Sequence, residues 1–326
     1  MEHLWTLAAA ILLDRWIGDP DWLWRRLPHP VVWFGKVIDL ADKRLNGGGV
    51  LPLALRRRGA AFIFVALFLV VILGHLLGTV LAGMGWAGYL TEIVIVAVFI
   101  AHNSLALHVW RVADGYRTGG LSAARQALSM IVGRDTSVLD ENGIARAAIE
   151  SLAENFSDGV VAPVFWYAIG GLPGVLAYKF LNTADSMIGH RAERHLHFGR
   201  MAARLDDFAN WAPARLSAIL IACASWSFSR ISVGSVLGVA LRDAGTHRSP
   251  NAGWPEAAFA TALNLQLGGP RLYRGEGVVA AAHLNSGGRA IANISDISRA
   301  LSLLALCSNC LILFVVVLAL VVGLPV

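Results

Sequence analysis

Apolar stretches recur from one end of the chain to the other, and polar residues gather in short clusters between them. A membrane-spanning helix needs about 20 apolar residues. Residues 60–81 meet that need, with Arg56, Arg57 and Arg58 just ahead of them. Residues 93–110 nearly do, stopping at Arg111, and residues 301–324 do so clearly. Three other segments are weaker. Residues 4–17 are few and include Asp14. Residues 160–180 are interrupted by Pro163 and by Gly170-Gly171-Leu172-Pro173-Gly174. Residues 214–228 are few and begin beside Arg215. Helix breakers at membrane depth are tolerated where protein or a watery cavity satisfies the freed backbone groups. The pattern predicts an all-α, polytopic membrane helical bundle with broken or re-entrant segments and long polar loops, a single integral-membrane domain over residues 1–326. Gly47-Gly48-Gly49 predicts a turn before the first clear span, and residues 230–298 read as a Gly-rich loop with short helices.

Composition agrees. Apolar residues make up 56% and charged residues 15%, with a mean hydropathy of +0.60, whereas a soluble domain carries about 25% charged residues. The net charge is +5, but the basic residues are not interleaved with aromatics on one polar face, which argues against a nucleic-acid partner. Cys223, Cys307 and Cys310 all lie in apolar stretches and read as small buried residues rather than as redox or metal ligands. Glu2 stands where a signal peptide would carry basic residues, and Asp14-Arg15 directly follow the apolar stretch, so no cleaved leader is expected.

Basic loops stay on the cytoplasmic side of a membrane. Placing residues 15–58 there puts residues 111–158 there too, after two spans. If 160–180 and 214–228 both crossed, the loop holding Arg191, Arg194, Arg200 and Arg204 would lie outside, against that rule. The expectation is that these two segments are re-entrant or buried in the bundle, with every polar cluster facing the cytoplasm.

Five polar clusters carry candidate chemistry. The first runs from Asp14 to Asp21 and on to Pro28-His29-Pro30; it reads as a costly intramembrane carboxylate or as an interfacial helix stop with ordinary turn chemistry. In the second, residues 147–159, Glu150 and Glu154 are four apart on one helical face, with Asp140 or Asn142 as the cap. Asn155, Ser157 and Asp158 add oxygens where that helix is expected to end. Like charges at this spacing repel unless a cation lies between them, and hard oxygen donors suit Mg²⁺. In the third, Asn182, Asp185 and Ser186 share a helical face, and His190 and Arg191 follow a turn later. The fourth pairs Asp206 with Asn210 ahead of Arg215; an amphipathic interfacial helix with Trp211 at the headgroups is the plainer reading. The fifth, His247-Arg248-Ser249-Pro250-Asn251-Ala252-Gly253-Trp254-Pro255-Glu256, is expected to be a loop, because two prolines and a glycine interrupt it. The candidate metal ligands are Glu150, Glu154, Asn155, Asp158 and Asp185. The candidate phosphate or cofactor contacts are Asn182, Ser186, Asp206, Asn210, Arg215, Ser249, Asn251 and Glu256. The candidate catalytic residues are His190, His247, Arg191 and Arg248, with either imidazole suited to act as a base near neutral pH.

No P-loop, HExxH or GxSxG motif occurs, and no GxGxxG follows a strand. The stretches LLDRWIGDPDWLWRRLPHPVVWFGKVI, ARAAIESLAENFSDGVVAPVFWYAIGGLPGVLAYKFLNTADSMIGHR, ARLDDFANWAPARLSA and HRSPNAGWPEAAFATALNLQLGGPRLY, in this order and spacing, resemble the CobD/CbiB family, the membrane-bound adenosylcobinamide-phosphate synthases of cobalamin biosynthesis. The resemblance implies a multi-pass enzyme of the bacterial inner membrane with its active face toward the cytoplasm. The activity it implies is an ATP-dependent amide ligation, joining adenosylcobyric acid to (R)-1-aminopropan-2-ol or its O-phosphate. ATP and Mg²⁺ are the expected cofactors, and the corrinoid, the aminopropanol unit and the lipid bilayer the expected partners; the oligomeric state is left open. A transporter with a midplane site, or a lipid-linked phosphotransferase, is the alternative.

Overall fold

The computed structural model describes residues 2–18, 21–189, 194–273, 277–279 and 281–323. Its helices in chain order are α1 (Glu2–Ile17), α2 (Asp21–Trp24), α3 (Pro30–Leu45), α4 (Pro52–Gly83), α5 (Trp86–Phe99), α6 (His102–Leu128), α7 (Glu141–Asn155), a π-helical turn (Phe156–Val161), α8 (Ala162–Ile188), α9 (Arg200–Ala209), α10 (Trp211–Ser229), α11 (Val233–Asp243), α12 (Gly253–Leu263) and α13 (Ile294–Val322). The only strands among the described residues are short antiparallel pairs, β1 (Leu267–Gly268) with β4 (His283–Leu284) and β2 (Arg271–Tyr273) with β3 (Gly277–Val279). Four helical runs are long and apolar enough to cross a bilayer: Pro52–Gly83, Trp86–Leu128, Glu141–Ile188 and Ile294–Val322. The protein is therefore an all-helical membrane protein, as the hydropathy pattern predicts.

Three expectations need correction. The stretch 93–110 is not one unbroken helix, because Ile100 is extended (φ −97°, ψ 124°) between α5 and α6. The second cluster does not end its helix; the ladder widens into the π turn and re-tightens as α8. Pro163 falls just beyond that turn and introduces no break, since the regular ladder is already interrupted there. The break within α8 falls at Gly171 (φ 59°, ψ −147°), inside the Gly170–Gly174 stretch where one is expected, in a conformation that residues with a Cβ rarely adopt. The fifth cluster is a loop only as far as Ala252, and α12 then starts at Gly253. Pro255 is accommodated because it lies in the first helical turn, where its missing N–H costs nothing. The alanines beyond it favour helix, and Asn264 closes it in the left-handed conformation (φ 55°, ψ 47°).

The chain's contacts cluster into two compact units, one from Met1–Ala101 and Ala162–Asn210, the other from His102–Val161 and Trp211–Val321. In the first, α8 packs on α3, α4 and α9, and α1 packs on α5. Its core includes Ile38, Ile63, Tyr178, Phe180, Ala184, Ile188, Phe198 and Ala202. Small residues let the helices approach closely: a Cβ at Gly59 of α4 would overlap the Phe198 carbonyl, so the turn before α9 lies directly on that helix. His29 caps α3 by accepting from the Val31 amide at 3.2 Å, which gives the Pro28-His29-Pro30 motif a structural role.

In the second unit, α12 packs on α7, α10 and α11. Nearly all of α12 is buried, which fits its apolar, Ala-rich sequence. Phe156 meets Phe259 edge to face, with ring centres 6.4 Å apart. The segment after α12 is tied down by polar groups. Asp243 accepts from the Asn285 amide at 2.7 Å, while Asn285 Nδ2 donates to Leu265 O at 2.9 Å. On α7, Arg146 donates to the Gly268 carbonyl at 2.8 Å, and Glu150 accepts from the Gly268 amide at 2.8 Å. The other Glu150 oxygen pairs with Arg134, and both side chains are nearly buried. Removing one partner of such a pair costs about 3–5 kcal/mol, because the survivor's charge is left uncompensated. Glu150→Ala is therefore expected to lower the unfolding free energy by about that amount in a denaturant titration of the detergent-solubilised protein. Combining it with Arg134→Met should recover part of the loss. A titration that does not distinguish Glu150→Ala from the parent would remove the pair from this role.

Candidate functional site

In the first unit the last turns of α8 place Asn182, Asp185 and Ser186 on one face, as their spacing predicts. Asp206 of α9 is reached from both sides by neutral amides: Asn210 Nδ2 donates to Oδ2 at 2.9 Å, and Asn182 Nδ2 to Oδ1 at 3.5 Å. Tyr178 supports Asn210 by donating its hydroxyl to Oδ1 at 2.9 Å. Trp166 Nε1 donates to the Ala209 carbonyl at 3.1 Å and holds the end of α9. The Ser186 hydroxyl turns back to the Asn182 carbonyl at 2.9 Å. Asp206 and Asn210 are both buried. Burial, then the neighbouring Asp185 charge, push the Asp206 carboxyl up to about 7, against the pull of the two amides. A buried carboxyl that feels a second acid is favoured by sharing a proton or by holding a cation. The oxygen-only surroundings fit Mg²⁺, which commonly takes one or two carboxylates and completes its shell with water and phosphate. His190 and Arg191 lie outside the described residues.

In the second unit Asp140 caps α7 by accepting from the Gly143 amide at 2.8 Å. Glu150 faces inward to Arg134 and Gly268, whereas Glu154, one turn on, is exposed. Asn155 donates to the Ser151 carbonyl at 2.9 Å. Asp158 is half-buried in the π turn beside Ser157, whose buried hydroxyl has no hydrogen-bond partner among the described residues. A π turn with an orphaned hydroxyl next to a carboxylate offers oxygen atoms of the kind a phosphate-bound cation takes. Among the described residues, no three His, Cys, Asp or Glu side chains close around a single point.

The fifth cluster and Arg215 do come together. His247 Nδ1 lies 3.1 Å from Ser249 N and 3.3 Å from Ser249 O, and Nε2 lies 3.5 Å from Glu256 Oε1. Glu256 is fully buried. Ser249 Oγ accepts from the amides of Asn251 and Ala252, both at 3.2 Å. Arg215 lies between the rings of Trp211 and Trp254, at 4.6 and 4.7 Å, and its Nη1 donates to Asn251 Oδ1 at 3.0 Å and Trp211 O at 2.8 Å. The stacked guanidinium is held rigid, and its bonds to the protein all leave from Nη1. The Nε–Nη2 edge is the one that grips phosphate or carboxylate oxygens in pairs. Arg248 is exposed. The two tryptophans escape a reading by charge and hydropathy, although Trp-Pro-Glu at a helix start is a visible signal. Also missed as a group are Arg56, Arg200 and Arg204, which line one polar cavity of the first unit.

Polar clusters set into apolar helices define a membrane protein with built polar sites. The family profile described as CobD/Cbib protein matches residues 7–304. Relatives named "Cobalamin biosynthesis protein CobD" include one from Sinorhizobium sp, 56% identical over 300 residues (92% of this chain, 93% of that protein). Another, from Rhizobium meliloti (strain 1021), is 55% identical over 310 residues (94% of each). A third, from Rhodobacter capsulatus, is 45% identical over 273 residues (84% of each). No solved structure matches the chain. The chain belongs to the CobD/CbiB family.

The Asp206 geometry sets a pH dependence. A carboxyl whose folded value is raised contributes stability that is fully present below its unfolded value near 3.8 and is lost as pH rises through about 7. The parent's thermal midpoint in Mg²⁺-free buffer should therefore fall between pH 5 and 8 more than that of Asp206→Asn. Added Mg²⁺ should offset the fall in the parent alone. Parallel pH profiles for the two proteins would show that Asp206 does not titrate in this range.

Proposed function

We propose that this protein acts in cobalamin biosynthesis as an amide-forming ligase. It would join the propionate carboxyl of adenosylcobyric acid to the amine of (R)-1-aminopropan-2-ol or its O-phosphate, with ATP as the phosphoryl donor. Family membership supports the pathway. The observation that carries the chemistry is the buried Asp206 carboxyl, bonded to two neutral amides and raised first by burial and then by the Asp185 charge, which suits a divalent cation on a phosphate.

Amide formation from a free carboxylate is uphill in water. MgATP supplies the remedy by converting the carboxylate to an acyl phosphate. The amine nitrogen then forms the C–N bond, the C–O bond to phosphate breaks, one amine proton leaves, and the products are amide, ADP and phosphate. The protein's part is positioning and charge neutralisation. Asp185 and Asp206 would hold Mg²⁺ in one unit, and Glu154, Asn155 and Asp158 offer a second oxygen set. Arg215, stacked between two indoles, presents its free edge to a phosphate or carboxylate, with Arg248 beyond it at the surface. His247 would take the amine's proton, with Glu256 stabilising the imidazolium. His190 is the other candidate base. The cytoplasm is the proposed side for all of these groups, because Arg194, Arg200 and Arg204 lie on the segment between α8 and α10.

Purified protein supplied with adenosylcobyric acid, aminopropanol phosphate and MgATP is expected to release one ADP and one phosphate per amide formed. Asp185→Asn and Asp158→Asn should each slow this by at least about tenfold, the scale of losing one charge-assisted contact. Unchanged Mg²⁺-dependent turnover in both would remove the metal assignment. No amide under any condition, with corrinoid flux across vesicles, would favour a transporter instead. For orientation, a cysteine at position 195 should resist impermeant thiol reagents applied from the periplasmic side, and periplasmic labelling would reverse the assignment.

A further inference from the structure

The first unit contains a polar cavity of about 420 Å³ close to the start of α9. Arg200, Ala203, Arg204 and Asp207 of α9 line it at spacings of three, four and seven residues, one face of the helix. Arg56, from the first turns of α4, and His195 and His197, from the turn before α9, complete the charged lining. Three arginines thus face one acidic side chain. The neighbouring charges repel: Arg204 first, and then Arg56, push the proton affinity of Arg200 below the ordinary arginine range. Like charges are not gathered this way for stability, since each neighbour costs the others free energy.

The surroundings show a built site. The turn from His195 to Gly199 cannot move away, because Phe198 lies in the core and its carbonyl presses on Gly59. Asp42 holds the near end, pairing with Arg194 at 2.6 Å and facing His195 at 3.5 Å. His197 Nδ1 is buried and makes no hydrogen bond to the protein among the described residues. The N-terminus of α9 carries no side-chain cap, so its first amides add their partial positive charge where Arg200 begins the helix. The volume falls within the range of small-ligand pockets.

We propose that this cavity is a phosphate-binding site, in which Arg56, Arg200 and Arg204, with His197, hold the phosphate group of a substrate. Within the ligase reading on which it rests, two phosphates qualify: the triphosphate chain of the nucleotide and the ester phosphate of aminopropanol phosphate. Asp207 would then lie beside the bound phosphate as a further ligand for an accompanying Mg²⁺.

The test uses the full-length protein in detergent. Binding of inorganic tripolyphosphate and of aminopropanol phosphate is measured by calorimetry without corrinoid, for the parent, Arg200→Gln, Arg204→Gln and Arg204→Lys. Far-UV circular dichroism and the thermal midpoint confirm folding. Each Gln variant is expected to weaken at least one of these ligands tenfold or more, and Arg204→Lys to recover part of the loss. In turnover, a raised KM for ATP alone assigns the site to the nucleotide. A raised KM for aminopropanol phosphate, with that for unphosphorylated aminopropanol unmoved, assigns it to the ester. Folded Gln variants that bind both anions like the parent would overturn the site, even if they still form amide. Arginine-dependent tripolyphosphate binding in a protein that forms no amide would leave the site standing and remove the ligase reading.

Discussion

A charged group placed among apolar helices must find a partner, and that constraint organises this structure. Leaving a carboxylate unpaired in such surroundings costs several kcal/mol, so most of the buried acids meet cations. Glu150 has Arg134, Asp42 has Arg194, and Asp296 has Arg289 and Arg299. Asp243 has Arg242 and the Asn285 amide, which hold its carboxyl below the usual range. Two of these acids also join segments through backbone amides: Glu150 ties α7 to β1 through Gly268, and Asp243 ties α11 to the end of β4 through Asn285. Asp206 departs from the pattern. Its bonds come from neutral amides, and its nearest charged influence is another acid. Its bonding to amides alone marks Asp206 as a place where something outside the chain is expected to supply positive charge.

Arginine follows the same logic with the opposite sign. Arg134, Arg194 and Arg289 meet acids, and Arg215 is held by two indole faces and an amide oxygen. Arg56, Arg200 and Arg204 instead face one another across a cavity. Asp185 and Asp206 on α8 and α9 and a basic cluster on α4 and α9 therefore belong to one unit, joined through the ten residues of α9. A magnesium phosphate is a ligand with complementary parts for both.

The helices were legible because hydropathy and length together decide whether a segment can cross a bilayer. The breaks were less so. Gly171 was visible as a breaker, but Ile100 carries no glycine or proline, and its extended backbone leaves no mark on an apolar profile. Pro255 misled in the other direction, since two prolines and a glycine signal a loop unless one proline happens to fall in a first turn. The acid clusters stood out because carboxylates are rare in this chain. Their division between two units did not, because the units interleave in sequence, and hydropathy along a line carries no information on which helices pack together. Glu150 and Glu154 look alike as a pair four residues apart, yet one is buried on Arg134 and the other exposed, a difference that arises from packing across the helix.

The basic residues expose a deeper ambiguity. Arginines on loops next to membrane spans are ordinarily read as orientation signals, and Arg56, Arg200 and Arg204 fit that reading. Orientation depends only on the number of basic residues near a span and is indifferent to how they are arranged. A scattered set would serve it equally well and would avoid the repulsion that Arg204 and Arg56 exert on Arg200. What orientation does not require is three guanidiniums on one cavity, a histidine nitrogen buried without a partner and an uncapped helix start beside them. The arrangement, rather than the count, is what calls for a ligand. It became visible only when the chain brought residue 56 next to residues 200 and 204.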